Sequence, residues 1–206
     1  MVCAVKLLLR DNVIYEGILS TIYNGKPYVS AVGFVKRGDF IEVKAYRGSL
    51  LYTVIRESSR VVLNVVHDVL TLIYSAFKGY FDLSVLENNI VHKGDLVYLR
   101  NSLAHIVVEK ILEEEHGDHC IVRFKIASYE VCESPIIEPF TRCYSNLVEI
   151  AVYASKILSV KNIAVGLLFE YQERVNNCLD VVMRTCNDEY KQLASKLVRL
   201  IRSVSA

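Results

Sequence analysis

From Ile14 to Gly79 the chain switches between a two-residue and a helical hydrophobic period, and one short loop, Tyr46-Arg47-Gly48-Ser49, stands at a change between them. Ile14 to Tyr23 alternates as a strand, Asn24-Gly25-Lys26-Pro27 is a turn signal, and Tyr28 to Lys36 alternates again. Arg37-Gly38-Asp39 is a second tight turn, and Phe40 to Tyr46 completes a three-stranded meander. Beyond Arg47-Gly48, Leu50, Val54 and Ile55 share one helical face, with Ser49 placed to cap it. A strand that runs into a helix start sets unpaired N–H groups and the positive end of the helix dipole at one point. That arrangement favours an anion such as a phosphate, to which Arg47 and the Ser49 hydroxyl would add. The competing reading is an ordinary strand-to-helix joint with a cap.

The next strand, Arg60 to Val66, carries Asn64 inside an otherwise apolar run, and a buried amide needs partners. A helix is expected over Asp68 to Lys78, with Val69, Leu72, Ile73 and Ala76 at helical spacing and Asp68 as its cap. Lys78 to Asp95 has no sustained period and reads as a linker or a loop over a barrel. Val97 to Glu113 and Ile121 to Val131 read as two long strands joined by a turn at His116-Gly117-Asp118. With the four strands before them they number six, enough to close a small barrel. Glu133 to Pro139 holds two prolines and marks a change of class. From Thr141 onward the spacing is helical, with Leu147, Ile150, Ala151, Ala154, Ile157 and Leu158 on one stripe. A second helix is expected within Asn162 to Cys186, and a third puts Tyr190, Leu193, Ala194, Leu197, Leu200 and Ile201 on one face. The expected class is therefore α+β, mainly β: a barrel over residues 1–134 and a C-terminal helical region over 135–206, packed on the barrel or on a dimer partner.

Composition bounds what this architecture does. Apolar residues make up 52% of 206 and mean hydropathy is +0.29, more than one soluble subunit of this size needs, so burial between subunits, a homodimer, is expected. Val61 to Phe77, the most apolar stretch, is broken by Asn64, His67 and Asp68, and no membrane span is expected. Three leucines between Lys6 and Arg10 are too few for a secretory signal, which leaves a cytoplasmic protein as the expectation. Charge balances at +1 with no basic stretch interleaved with aromatics, so nucleic acid is not an expected partner. The six cysteines include no Cys-x-x-Cys pair and read as buried thiols, Cys178 and Cys186 being too far apart along a helix to bridge. His116, His119 and Cys120 crowd a charged turn without a fourth ligand, so a solvated hairpin is expected there rather than zinc.

Three further positions bear on a site. Ser20 and Thr21 end the first strand, where their hydroxyls reach a ligand or satisfy the turn. Arg142 puts a cation in the first turn of a helix against the macrodipole, so an anion is expected nearby, either a ligand phosphate or Glu133 or Glu138.

Ser20-Thr21, Asn24-Gly25-Lys26-Pro27, Gly33, Gly48-Ser49, Tyr52, and Val62-Leu63-Asn64-Val65 ahead of His67-Asp68 resemble the largely archaeal family called domain of unknown function 447. Pro139-Phe140-Thr141-Arg142-Cys143 is similar to that family's Pro-Phe-Asn-Arg-Ala stretch before its C-terminal helices. The resemblance runs in one order over nearly the whole chain. It implies an FMN-binding split barrel, flavin reductase-like, with the flavin at or near a homodimer interface. On it, Arg47, Gly48, Ser49, Thr21 and Arg142 would hold the phosphate, backbone amides and Asn64 would bond the flavin ring, Ser20 would reach the phosphate or the flavin edge, and Tyr46 and Tyr52 would flank the loop. A deazaflavin or a pterin is the other cofactor the pocket would take. An enzyme of this kind would be a flavin-dependent oxidoreductase; the alternative is a non-catalytic dimeric ligand-binding or structural module that has lost tight flavin binding. That alternative draws on departures from the family pattern: Lys44-Ala45 in place of Arg-Pro, Ala31 in place of Pro, and Leu51, Val54 and Val66 in place of polar residues.

Overall fold

The computed structural model describes residues 9, 11, 14–81, 84–132, 142–159 and 165–205, with the backbone only at 85, 142, 165, 204 and 205. The chain divides into two compact units, residues 1–136 and 137–206.

The first unit begins with β1 (Ile14–Tyr23), β2 (Lys26–Arg37) and β3 (Phe40–Tyr46), the meander expected from the alternation. Asn24 and Gly25 both take positive φ, 50° and 73°, which matches a two-residue turn to the twist of its strands. Then come α1 (Leu50–Glu57), β4 (Arg60–Val65), α2 (Val69–Ala76) and the single turn α3 (Ser84–Glu87). A small hairpin, β5 (Ile90–Lys93) and β6 (Leu96–Leu99), precedes the long hairpin β7 (Ala104–His116) and β8 (His119–Val131).

Six strands close into a barrel in the order β1-β2-β3-β8-β7-β4, every neighbouring pair antiparallel. Its interior is filled by Leu19, Phe34, Ile41, Val43, Val61, Leu63, Ile106, Val108, Val122 and Phe124, and α1 adds Val54 and Ile55 to the same cluster. Alternation puts the opposite faces of β1, β2, β4 and β7 outward, where the β5–β6 hairpin and α3 cover them: Ile18 and Val29 cluster with Leu86 and Leu99, while Val62 and Val107 cluster with Leu96 and Tyr98.

Two expectations need correction. Residues 78–95 are not a featureless connection, since α3 and β5 lie within them; β5 is a four-residue strand, too short for its period to show. Val97 to Glu113 is not one strand. A turn at Arg100 to Leu103 separates β6 from β7, and Leu96 to Leu99 are all buried, which erases alternation.

The closure is uneven. Strand β7 pairs with β4 only from Ala104 to Glu109, and register shifts between Val107 and Val108 and between Lys110 and Leu112 re-aim the strand beyond. Beyond the strand's pairing with β4, its Glu113 and Glu115 turn to the side chains of Arg47 and of Tyr52 and Arg56 on α1.

The second unit holds α4 (Arg142–Ser159), α5 (Val165–Thr185) and α6 (Asp188–Ser205). Leu147, Ile150, Ala154 and Ile157 of α4 and Leu193, Ala194, Leu197 and Ile201 of α6 are buried, as the stripes require. The reading of every cysteine as a thiol is overturned here: Cys143 and Cys186 form a disulfide, with Cα atoms 5.1 Å apart, while Cys120, Cys132 and Cys178 are free. The pair is invisible in the sequence because a separation of 43 residues is closed by a helix hairpin. No described helix is long and apolar enough to cross a membrane.

Candidate functional site

The candidate residues fall into two groups on the barrel unit. The first is the joint between β3 and α1. Ser49 is the N-cap of α1: its backbone is extended (φ −85°, ψ 149°), its Oγ accepts from the Tyr52 amide at 3.2 Å, and its hydroxyl donates to the Tyr46 carbonyl at 2.7 Å. Gly48, at φ 88°, lies in the left-handed region, with open space where a Cβ would stand. Arg47 is tied to the β7–β8 turn by its backbone, N–H to Asp118 carbonyl at 2.8 Å, while its side chain stays 59% exposed.

Glu115 answers that exposed guanidinium. Its carboxylate accepts from Arg47 Nη2 at 3.1 Å and from the Tyr52 hydroxyl at 2.6 Å, and lies 3.1 Å from Arg56 Nη1. Arg56 also donates through Nε to Glu113 at 2.5 Å and stands 4.9 Å over the Tyr52 ring. The Tyr52 hydrogen bond, and then the Arg47 one, hold the Glu115 carboxyl below the usual carboxylate range, and the same Glu115 bond pushes the Tyr52 phenol up. Two arginines and two glutamates thus pair at the joint, with Lys110 a further 3.7 Å from Glu113. Sequence reading missed Glu113, Glu115 and Arg56 because they come from a strand about sixty residues away and from the far end of α1.

The second group is buried. Asn64 donates through Nδ2 to the Ile18 carbonyl at 2.9 Å and to Ser20 Oγ at 2.8 Å, and its Oδ1 accepts from the Leu99 amide at 2.9 Å. Ser20 passes its own hydrogen to the Val97 carbonyl at 2.5 Å. Both side chains are fully buried on the outward faces of β1 and β4, where they clasp β6 to the barrel. Both donors of the Asn64 amide are used within the chain.

Thr21, on the inward face beside Ser20, reaches Ser58 Oγ and the Arg60 carbonyl, each at 3.5 Å. It therefore stands at the C-terminal end of α1, whose eight residues span about 12 Å from the Ser49 cap. Arg142 begins α4, as the periodicity expects, but its side chain lies outside the described residues, as do Glu133 and Glu138. Asp68 caps α2 through the Leu70 and Thr71 amides, at 3.0 and 3.1 Å. Among the described residues no group of three or more acidic, histidine or cysteine side chains could hold a metal, and His116 and His119 stack on one another at 5.3 Å.

The polar positions that this chain lacks are filled by packing. Val54 is fully buried in the barrel core, Leu51 packs against that core, and Val66 packs against the outer cluster.

Comparison with known proteins adds to this geometry. Residues 15–133 match the model for the N-terminal domain of a protein family of unknown function, DUF447. The FMN-bound protein MM1853 from Methanosarcina mazei superposes with a TM-score of 0.74 over 95% of this chain and 96% of its own, at 20% identity. Flavoredoxin from Methanosarcina acetivorans gives 0.51 at 16% identity, covering 65% and 79%. The flavin reductase HpaC, solved with NADP+, gives 0.51 at 20% identity, covering 65% and 85%. At such identities the likeness is one of fold: a split β-barrel, followed here by a helical region. No curated protein matches the chain significantly.

Proposed function

Because the chain belongs to the DUF447 family, we propose that it binds FMN through the β3–α1 joint, in the split barrel its fold supplies. The observation that carries this reading is the joint itself, where an exposed guanidinium, a positive-φ glycine and the first turn of a capped helix share one open corner. That donor set suits a phosphate. Arg47 offers a planar two-hydrogen fork, Gly48 lets backbone approach the ligand, and the helix start adds its dipole. Further support is that MM1853 is FMN-bound. Tyr52 lies on that helix and Thr21 at its far end, while Ser20 with Asn64 acts from behind, fixing β1 and β4 under β6.

A bound flavin would supply two-electron and one-electron redox chemistry, of which a flavin reductase-like oxidoreductase is the enzymatic form. The chain's own part is to bind and orient. Arg47 must release Glu115 to meet a phosphate, and Glu115 then keeps Arg56 and Tyr52, so the joint stays charge-paired. We take the active form to be a homodimer in the cytoplasm. An intracellular disulfide such as Cys143–Cys186 has its precedent in hyperthermophiles.

A second reading is favoured by one observation: Leu51, Val54 and Val66, where the family pattern is polar, are committed to packing and offer no hydrogen bonds. On it the barrel is a dimeric module without tight flavin affinity. A deazaflavin or a pterin is the ligand to try if FMN does not stay.

The test is the visible spectrum after incubation with FMN and gel filtration. Retained flavin near one per chain is expected, with Arg47→Ala weakening affinity roughly ten- to a hundredfold, the worth of a charge-assisted hydrogen bond. The melting temperature of that variant should not change. A colourless protein eluting as a dimer would overturn FMN binding and uphold the module.

A further inference from the structure

A thiol and an imidazole face each other where β7 begins and β8 ends. Cys132 Sγ lies 3.5 Å from His105 Nδ1, and His105 Nε2 lies 2.9 Å from the Leu99 carbonyl oxygen. A carbonyl only accepts, so Nε2 carries the hydrogen of the neutral ring and Nδ1 is left as the acceptor that faces sulfur. The ring is held in that tautomer. Only 7% of it is exposed, Tyr98 meets it edge-on at 5.0 Å, and the Leu99 carbonyl is itself fixed by a 2.8 Å bond from Ser102 Oγ. Cys132 is half-buried and pinned by its own amide to the Leu103 carbonyl at 2.9 Å. Nucleophile, base and orienting group are thus in line, the arrangement that activates a cysteine.

We propose that Cys132 is a modification site that exchanges with small-molecule disulfides, with His105 as its base. The Cys132 sulfur attacks one sulfur of the small disulfide while its proton passes to His105 Nδ1. The S–S bond of the small molecule breaks, and its departing thiolate takes the proton from His105 and leaves as a thiol. Cys132 is left in a mixed disulfide. The disulfide is both electrophile and oxidant, so no other reactant is required. Thiol–disulfide exchange needs only a nucleophile and a proton acceptor, and the pair supplies both. Burial, with the Glu130 carboxylate next in effect, pushes the Cys132 thiol up, so the sulfur depends on the imidazole rather than on ionising unaided. Among the described residues, Lys93 on β5 is the other charged group acting on Cys132, and it pairs with Glu130 at 3.4 Å. This reading does not rest on flavin binding.

The experiment treats the full chain anaerobically with oxidised glutathione and follows each cysteine by peptide mass spectrometry. Cys178, a half-buried thiol on α5 also pushed up by burial, is the internal reference. Cys132 is expected to react at least about tenfold faster than Cys178 at neutral pH, and His105→Asn to remove that advantage. Equal rates at the two thiols, or an unchanged rate in His105→Asn, would overturn the proposal. Should His105→Asn fail to fold, the wild-type pH profile decides. A Cys132 rate that levels off well below the pH at which an ordinary thiol ionises supports the base. A rate that climbs tenfold per pH unit into the alkaline range overturns it.

Discussion

Asn64 shows how one residue is read from sequence and then given meaning by its neighbours. An amide inside an apolar strand signals that something polar is buried with it, and the structure supplies Ile18, Ser20 and Leu99 as partners. Removing the amide strands the buried Leu99 N–H, at a cost of about 1–3 kcal/mol, and takes a donor from the Ile18 carbonyl and from Ser20 Oγ, which keeps its bond to the Val97 carbonyl. Asn64→Ala is therefore expected to lower stability by roughly 2–4 kcal/mol in urea unfolding, well above the loss for an exposed asparagine. Arg47 is the opposite case, because its partner Glu115 is solvent-accessible and the pair adds little to stability. That contrast separates the clasp, whose loss unfolds, from the joint, whose loss should weaken ligand binding alone.

At the scale of elements, α1 and α2 are anchored by different means. Strand β3 delivers α1 to the barrel end, where Val54 and Ile55 enter the core and Ser49 closes its first turn. Helix α2 is capped by Asp68 and tied at its other end by Lys78, whose ammonium donates to the Val29 carbonyl at 2.5 Å and sits 3.5 Å over the Tyr28 ring. Burial pulls that amine down to about 8, although the ring face and the carbonyl favour the charged form. Below pH 8 the amine is charged folded and unfolded, and burying the charge counts against the fold. Between about 8 and the ordinary lysine value near 10.5 the unfolded chain keeps a proton the folded chain has released, so stability rises with pH there. The unfolding free energy of the wild type should thus gain on that of Lys78→Met as pH goes from 8 to 10. A constant difference between the two would show that the amine is not buried.

For the whole molecule, the two units rest on different stabilising devices. The barrel has a closed ladder and a contiguous interior. The helical unit of about seventy residues, a size at which a core alone supplies little, carries a disulfide between the start of α4 and the residue after α5. Cross-linking a loop of that length removes about 4 kcal/mol worth of chain entropy from the unfolded state. Reductant, or Cys143→Ser with Cys186→Ser, should lower the stability of the helical unit by about 3–4 kcal/mol in urea unfolding followed by helical circular dichroism. An unshifted midpoint would show that the bridge is not formed.

What the sequence determined by itself was local. Side-chain period, turn residues and caps depend on neighbours within a few positions, so the first four strands, the Ser49 and Asp68 caps, the six-stranded count and the three C-terminal helices were legible. The β5–β6 hairpin was not, because two strands of four residues, one of them buried throughout, are too short to show a period. Tertiary structure alone decided which groups meet: Glu115 with Arg47, Asn64 with Leu99, Cys132 with His105 and Cys143 with Cys186. Each pairing spans tens of residues and is set by strand register or helix packing, and no local spacing in the chain encodes a distance that only barrel closure or a helix hairpin creates.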